Sequence, residues 1–230
     1  MLWGRKKTIE NTNLLHGMTD YHCHILPGVD DGVKTMEESL SILNRYEELG
    51  IEAVWFTPHV MSDLQNTIQS LKERFEDFKQ AYKGNVSLNL SAEYMLDEGF
   101  LDLLENDDIL THALSDHILV ETSYFNPPAD LMSVLETIKS KGYFPVLAHP
   151  ERYMYMDDNM YQQIKDLEAR FQLNLGSLSG CYGKHVRKKA LKMLKKHWYQ
   201  YVGTDLHTEG MLDMVLDAEV PSKMSEYLGK

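Results

Sequence analysis

Two short runs of alternating residues could hold a metal ion: His22 and His24 around Cys23, and Asp205 and His207 around Leu206. In an extended strand successive side chains point to opposite faces, so each pair aims one way. Asp30, His59, Glu93, Glu121 and His149 offer further imidazole and carboxylate donors. Such ligands suit zinc, manganese, iron or cobalt. Nine candidates exceed the needs of one ion. At roughly three to four protein ligands each, with shared carboxylates, they suit two or three divalent ions. Clustered ions can lower the pKa of a shared water and neutralise a phosphoryl group during in-line attack. Singly, each residue is better read as structural: a lone histidine at a strand end or a lone surface carboxylate carries little signal.

Their positions relative to the elements change that weight. Seven segments read as buried strands: 18–22, 53–58, 86–92, 117–121, 144–148, 171–175 and 198–204. Several are near-continuous apolar runs, as parallel strands covered on both faces tend to be. Amphipathic patterns lie between them at 35–49, 64–82, 129–141, 159–169 and 185–197. Thr35 and Glu38 read as a capping box, and Gly50 as a helix stop. Alternation of strand and helix implies βαβ units and a parallel sheet. The candidate ligands sit where the strands end. Glu93, Glu121, His149, Ser177 and Asp205 follow one another at intervals of 28 residues. In a closed parallel barrel all carboxyl ends meet on one face. The expected fold is a distorted seven-stranded (β/α)7 barrel with its metal site there.

Composition sets the outer limits. The 230 residues form one large domain or two small ones by length, with 43% hydrophobic and 25% charged residues, as in a soluble globular protein. We read 18–230 as a single barrel domain. Residues 1–17 read as an N-terminal extension outside the fold, with Leu14 and Leu15 able to pack on the body. Arg5, Lys6 and Lys7 give it a basic end that could dock on a partner or a membrane surface. The formal charge of −12 argues against a nucleic-acid partner, which needs a basic surface. No window approaches ~18 consecutive apolar residues, so no membrane span is expected. Two cysteines are too few for a disulfide framework, which favours a reducing, cytoplasmic setting.

The segment Asp20-Tyr-His-Cys-His-Ile-Leu-Pro-Gly-Val-Asp-Asp-Gly32 resembles the opening of the PHP (polymerase and histidinol phosphatase) family. Within it the chain is most similar to the bacterial tyrosine-protein phosphatases of capsule and exopolysaccharide loci, the CpsB/YwqE type. Thr57-Pro-His59, Ser91-Ala-Glu93-Tyr94, His149-Pro-Glu-Arg-Tyr153, Ser177-Leu-Ser-Gly180 and Gly203-Thr-Asp-Leu-His207 look like its later motifs. The resemblance implies a trinuclear site and a metal-bridging hydroxide as nucleophile. It implies His22, His24, Glu93 and Asp205 around the first ion, with Glu93 bridging to a second that Glu121 and His149 complete. Asp30, His59 and His207 would hold the third, with Asp31 as the alternative to Asp30. Manganese stands first among the ions, with iron, zinc or cobalt as alternatives. Arg152 would grip the phosphate oxygens, for which its planar fork suits better than a lysine. Asp205 and His207 would share in catalysis as ligands. The implied substrate is a phosphotyrosine-bearing protein, a cognate bacterial tyrosine kinase that regulates polysaccharide export. The 60–66 and 153–160 loops would line its entrance.

The family often carries a second arginine soon after the final Asp-x-His. None follows His207 through Met214, so Lys184 or Arg187 would have to stand in. Cys181 and Arg187 also satisfy the bare Cys-x5-Arg pattern of cysteine-based phosphatases, which needs a thiolate and a cradle of backbone N–H groups. Other readings are a small-molecule phosphomonoesterase such as a histidinol phosphatase, and a non-catalytic metal-binding interaction domain. His16, His112, His117, His185 and His197 read as structural or solvated.

Overall fold

The structure is a computed structural model, and it describes residues 6–126, 128, 130–221 and 223–227. In chain order its strands are β1 (Lys6–Thr8), β2 (Thr19–Cys23), β3 (Ala53–Phe56), β4 (His59–Val60), β5 (Ser87–Leu90), β6 (Glu93–Met95), β7 (His117–Glu121), β8 (Phe144–Ala148), β9 (Arg170–Asn174), β10 (Tyr201–Gly203) and β11 (Glu219–Pro221). All seven expected strands are found. Six strands form a curled parallel sheet in the order β10-β9-β8-β7-β6-β4. A second parallel sheet has the order β2-β3-β5.

The regular ladders are therefore six strands plus three, not one continuous ring of seven. The division falls where the chain passes from β3 to β4 and from β5 to β6. Pro58 sits in the first gap and has no N–H to give to a ladder. Across the gaps single bonds persist, from Ser91 N to Phe56 O (2.8 Å) and from Glu93 N to Pro58 O (3.0 Å). At the other edge Asp205 N donates to His22 O at 2.8 Å, and His24 N to Leu206 O at 2.9 Å.

Helices cover the outside with the faces their periodicity selects. Met36–Glu48 buries Ile42, Leu43 and Tyr46, and Ile68–Ala81 buries Leu71, Phe75 and Phe78. Thr35 accepts from Glu38 N–H as expected, but the Glu38 carboxylate turns away to accept from Glu209 N–H at 3.2 Å. The second helix starts at Ile68 rather than 64, because Thr67 and Ser70 cap each other's backbone there. Leu131–Ser140, Asp158–Asp166 and Lys184–Lys195 follow the expected pattern. The short helices Glu98–Glu105 and Glu209–Leu216 were not foreseen. No helix among the described residues is long and apolar enough to cross a membrane.

The N-terminal segment corrects an expectation. β1 pairs antiparallel with β11, Lys7 opposite Val220, and Ile9, Leu14 and Leu15 are buried. From residue 6 onward the extension is built into the fold. Its polar composition hides this, because strand pairing uses backbone groups and only three apolar anchors are needed. Residues 1–5, including Arg5 of the basic end, lie outside the described residues.

Candidate active site

Apart from Asp30, in the loop seven residues past β2, the candidate ligands lie at strand ends or shortly after them, His59 and Glu93 three residues past the ends of β3 and β5. His22 lies in β2 and His24 one residue beyond; His59 and Glu93 open β4 and β6; Glu121 closes β7. His149 follows β8, and Asp205 and His207 follow β10. His149 and Asp205 take the left-handed backbone, with φ of 32° and 52°. Such non-glycine positions cost ~1–2 kcal/mol and persist only where the surroundings hold them. Here His149 N–H donates to Gln172 Oε1 at 3.2 Å, and Asp205 N–H to His22 O. Gly203 has to be glycine, since a Cβ there would overlap the His22 backbone and side chain.

The side chains converge. His22 Nε2 lies 3.2 Å from Glu93 Oε2 and 3.5 Å from Asp205 Oδ1. His24 Nε2 lies 3.3 and 3.4 Å from the same two oxygens. His59 Nδ1 is 2.9 Å from Glu121 Oε1 and 3.2 Å from Glu93 Oε2, and His149 Nε2 is 2.9 Å from Glu93 Oε1. Among the described residues four sets have ligand atoms within 4.8 Å of one another: His22/His24/Glu93, His22/His149/Asp205, His59/Glu93/Glu121 and His24/Asp31/His59/His207.

Asp30 and Asp31 can now be told apart. The Asp30 carboxylate is already engaged by His24 Nδ1 at 2.8 Å and by the backbone N–H groups of Gly32 and His59 at 3.0 Å. It orients His24 rather than facing the cluster. Asp31, 72% exposed at its side chain, lies 3.5 Å from His59 Nε2 and 3.4 Å from His207 Nε2. Asp31, and not Asp30, offers an oxygen to the group His24, His59 and His207.

The electrostatics favour a cation. Burial alone would lower the His22 pKa, yet the Glu93 and Asp205 carboxylates raise it to about 9. His24 is likewise raised by Asp30 and Asp205 against the effect of burial. Burial would raise Glu93 and Asp205, but the surrounding imidazoles hold both below the ordinary carboxylate range. The imidazoles, together with the Arg152 guanidinium beside Asp205, are the chain's own partners for these carboxylates. The fit is imperfect: both Glu93 oxygens, Glu121 Oε1, His59 Nδ1 and His149 Nδ1 are buried with no well-formed hydrogen bond. His22 Nε2 and His24 Nε2 also face each other at 3.0 Å, where only one can donate. Buried polar and charged atoms without full hydrogen bonding are costly, and divalent ions would satisfy those of Glu93, Glu121 and His59 together. The donor set fits them.

Arg152 joins this cluster through Asp205. Its Nη1 lies 2.9 Å from Asp205 Oδ2, and its guanidinium stacks between the rings of Tyr124 (4.2 Å) and Tyr182 (4.1 Å). The Asp205 carboxylate thus ties the arginine to the imidazoles. Sequence reasoning missed both tyrosines, and also Gln172, whose Oε1 is 2.9 Å from His22 Nδ1. Asn174, inside the expected 171–175 strand, is a further such partner: its Nδ2 donates to Asp205 Oδ2 at 2.6 Å. A glutamine in the middle of a buried strand was the available signal. Tyr153, from the expected entrance loop, is fully buried against His149 and is packing.

The stand-in cations fare differently. Arg187 donates to the carbonyls of Leu178 and Glu219, both at 2.7 Å, so its fork is spent on backbone. Lys184 is exposed at the start of its helix. Cys181 is exposed with Sγ on Gly176 O at 3.3 Å, and Arg187, the arginine of the Cys-x5-Arg pattern, is committed to backbone carbonyls. Cys23 points away from the histidines, its thiol on Trp55 O.

Residues 18–214 match the family described as "Capsular polysaccharide synthesis, CpsB/CapC". The chain belongs to this family. The tyrosine-protein phosphatase CpsB of Streptococcus pneumoniae is 27% identical over 221 residues, covering 91% of this chain and 88% of that protein. The tyrosine-protein phosphatase YwqE of Bacillus subtilis (strain 168) is 27% identical over 196 residues, covering 83% and 77%. Crystallography of YwqE from B. subtilis and CpsB from S. pneumoniae describes them as metal-dependent tyrosine phosphatases. A chain of that work matches with a TM-score of 0.77 and 25% identity, over 92% of this chain and 91% of its own. The CpsB/CapC match starts at residue 18, so the β1 segment precedes it.

Proposed function

We propose that this CpsB/CapC family member is a metal-dependent phosphatase that hydrolyses phosphotyrosine in protein. The observation that carries the reading is the convergence of imidazoles and carboxylates from successive strand ends beside a guanidinium held by one of those carboxylates. Two or three ions fit the four ligand sets. His22, His24, Glu93 and Asp205 would hold one; Glu93, Glu121 and His149, with His59 adjacent, a second; Asp31, His59 and His207 a third. Manganese is our first choice, with iron, zinc or cobalt as alternatives. Divalent ions in such a site supply Lewis acidity and bring the pKa of water toward neutrality.

The chain's own groups bind and orient. Arg152 presents its free donors to the phosphoryl oxygens, stiffened by two rings and by Asp205. Asp205 has two tasks, one oxygen toward the imidazoles and the other toward Arg152 and Asn174. His207, 21% exposed at its side chain, lines the mouth as a ligand. A phenolate leaving group of pKa ~10 is expelled more easily than a serine alkoxide, so a strong general acid is dispensable. We further read the two sheets as a (β/α)7 barrel interrupted at the ligands. The bonds between the β2 end and Asp205–Leu206, and those across the two gaps, support that reading. The substrate is then a cognate tyrosine kinase of a polysaccharide-export system, met in the cytoplasm.

Phosphate release by chelator-stripped protein tests this, with a phosphotyrosine peptide, with histidinol phosphate, and with and without Mn²⁺. Metal-restored turnover that favours the peptide, lost in His22→Ala and Glu93→Ala and kept in Cys181→Ser, is expected. Preference for histidinol phosphate would keep the site and change the substrate. Turnover indifferent to metal would overturn the reading.

A further inference from the structure

A groove of about 1100 Å³ opens beside the site, between the loop after Arg152 and the helix Lys184–Lys195. Met154, two residues beyond Arg152, is 53% exposed on its wall. Lys184, two residues beyond Tyr182, stands on the other wall. Both walls are thus joined through the chain to the Arg152 site, since Tyr182 stacks on Arg152 itself, although neither residue lines the groove.

Its helical wall is basic in a chain whose formal charge is −12. Lys184, Lys188, Lys192 and Lys195 all line it. Their spacing of four, four and three residues puts them in one row along the helix. Lys192 is neutralised by Asp158 at 2.7 Å on the facing wall, so the far half is offset. Lys189 is turned inward onto the carbonyls of Tyr153 and Met156. Lys184 and Lys188, nearest the site, are exposed and have no ion pair among the described residues. At 1.5 Å per residue the row is ~16 Å long, the reach of about five residues of extended chain at ~3.3 Å each.

We infer that this groove holds about five residues of the substrate polypeptide flanking its phosphotyrosine, with acidic side chains in the two or so positions that face Lys184 and Lys188, the recognising charges. The inference rests on the phosphotyrosine reading and names the substrate class within it. A concave, partly apolar channel fits a peptide better than the flat anionic face of a bilayer, and Asp158 on the facing wall is itself neutralised by Lys192 and Lys196.

The test is fluorescence anisotropy with non-hydrolysable phosphotyrosine-mimic peptides carrying acidic or neutral flanks, beside turnover of a small aryl phosphate. The acidic flank should tighten binding about tenfold in the wild type. Lys188→Glu should remove most of that gain and leave small-substrate turnover unchanged, and adding Lys184→Glu should remove the rest. Equal affinity for both peptides would overturn the inference. So would lysine-dependent binding to phosphatidylserine vesicles with no flank effect, which would make the groove a membrane contact. Lysine-dependent binding of the acidic peptide, in a protein that with Mn²⁺ hydrolyses no phosphotyrosine, would sink the proposed function and leave the groove standing.

Discussion

Replacing Arg152 probes the site most directly. One guanidinium nitrogen is committed to Asp205 at 2.9 Å, and the two flanking rings fix the plane of the group. The remaining N–H groups can give the phosphoryl group up to two charge-assisted bonds, each worth ~1.5–3 kcal/mol. Counting only half of that as gained in the transition state leaves, at the upper end, ~3 kcal/mol. Arg152→Ala should then lower kcat/KM by about 150-fold, at ~1.4 kcal/mol per tenfold. Arg152→Lys keeps the charge but neither the fork nor the flat stacking surface, so it should recover only about tenfold of the loss. The assay is kcat/KM on a phosphotyrosine peptide at saturating Mn²⁺, with bound metal counted by elemental analysis. Asp205 retains Asn174 as a partner, so metal content should hold in both variants. Activity of Arg152→Ala within a factor of two of wild type would refute the phosphate-clamp reasoning. Loss of activity together with loss of metal would show that Arg152 acts through Asp205 instead.

Other expectations follow from the same geometry. Asp31→Ala should leave the melting temperature nearly unchanged, because the side chain is exposed, while lowering bound metal and turnover. Asp30→Ala should unfold earlier by several degrees, having lost three buried acceptor contacts at ~1–3 kcal/mol each; the reverse pattern would restore Asp30 as the ligand. Deleting residues 1–17 removes three buried aliphatic side chains worth ~1.5–3 kcal/mol each, so calorimetry should show melting at least about 10 °C lower. Unchanged melting would mean the segment is dispensable. His112 is buried among Tyr21, Trp55 and Tyr201, and burial, then the neighbouring His22 and His117, lower its pKa to about 3. Between the ordinary histidine pKa of ~6.5 and that value the unfolded chain binds a proton that the native state refuses. Stability from this group is therefore present above pH ~6.5 and declines as pH falls toward 3. His112→Phe should flatten urea-unfolding stability against pH there by about one proton, ~1.4 kcal/mol per pH unit, and an unchanged slope would refute the assignment.

Several features were legible along the chain because they depend on local periodicity. A spacing of two places His22 with His24 on one side of a strand, and a spacing near 3.6 selects the buried faces of Met36–Glu48 and Ile68–Ala81. The ligands at strand ends could likewise be read, since a parallel α/β sheet brings its carboxyl ends together. What the chain could not show depends on partners distant in sequence. Asp30 and Asp31 are chemically identical neighbours, and only the bonds from His24, Gly32 and His59 turn one inward and leave the other at the mouth. Tyr124 and Tyr182 meet Arg152 from two separate loops, which no periodicity connects. Lys6–Thr8 finds Glu219–Pro221 through backbone hydrogen bonds, which are indifferent to side-chain type. Residue type and spacing along the chain decided which atoms can bind a metal. Tertiary structure decided which carboxylate faces the site, what holds the arginine, and where the ladders break, because those depend on contacts between residues far apart in sequence.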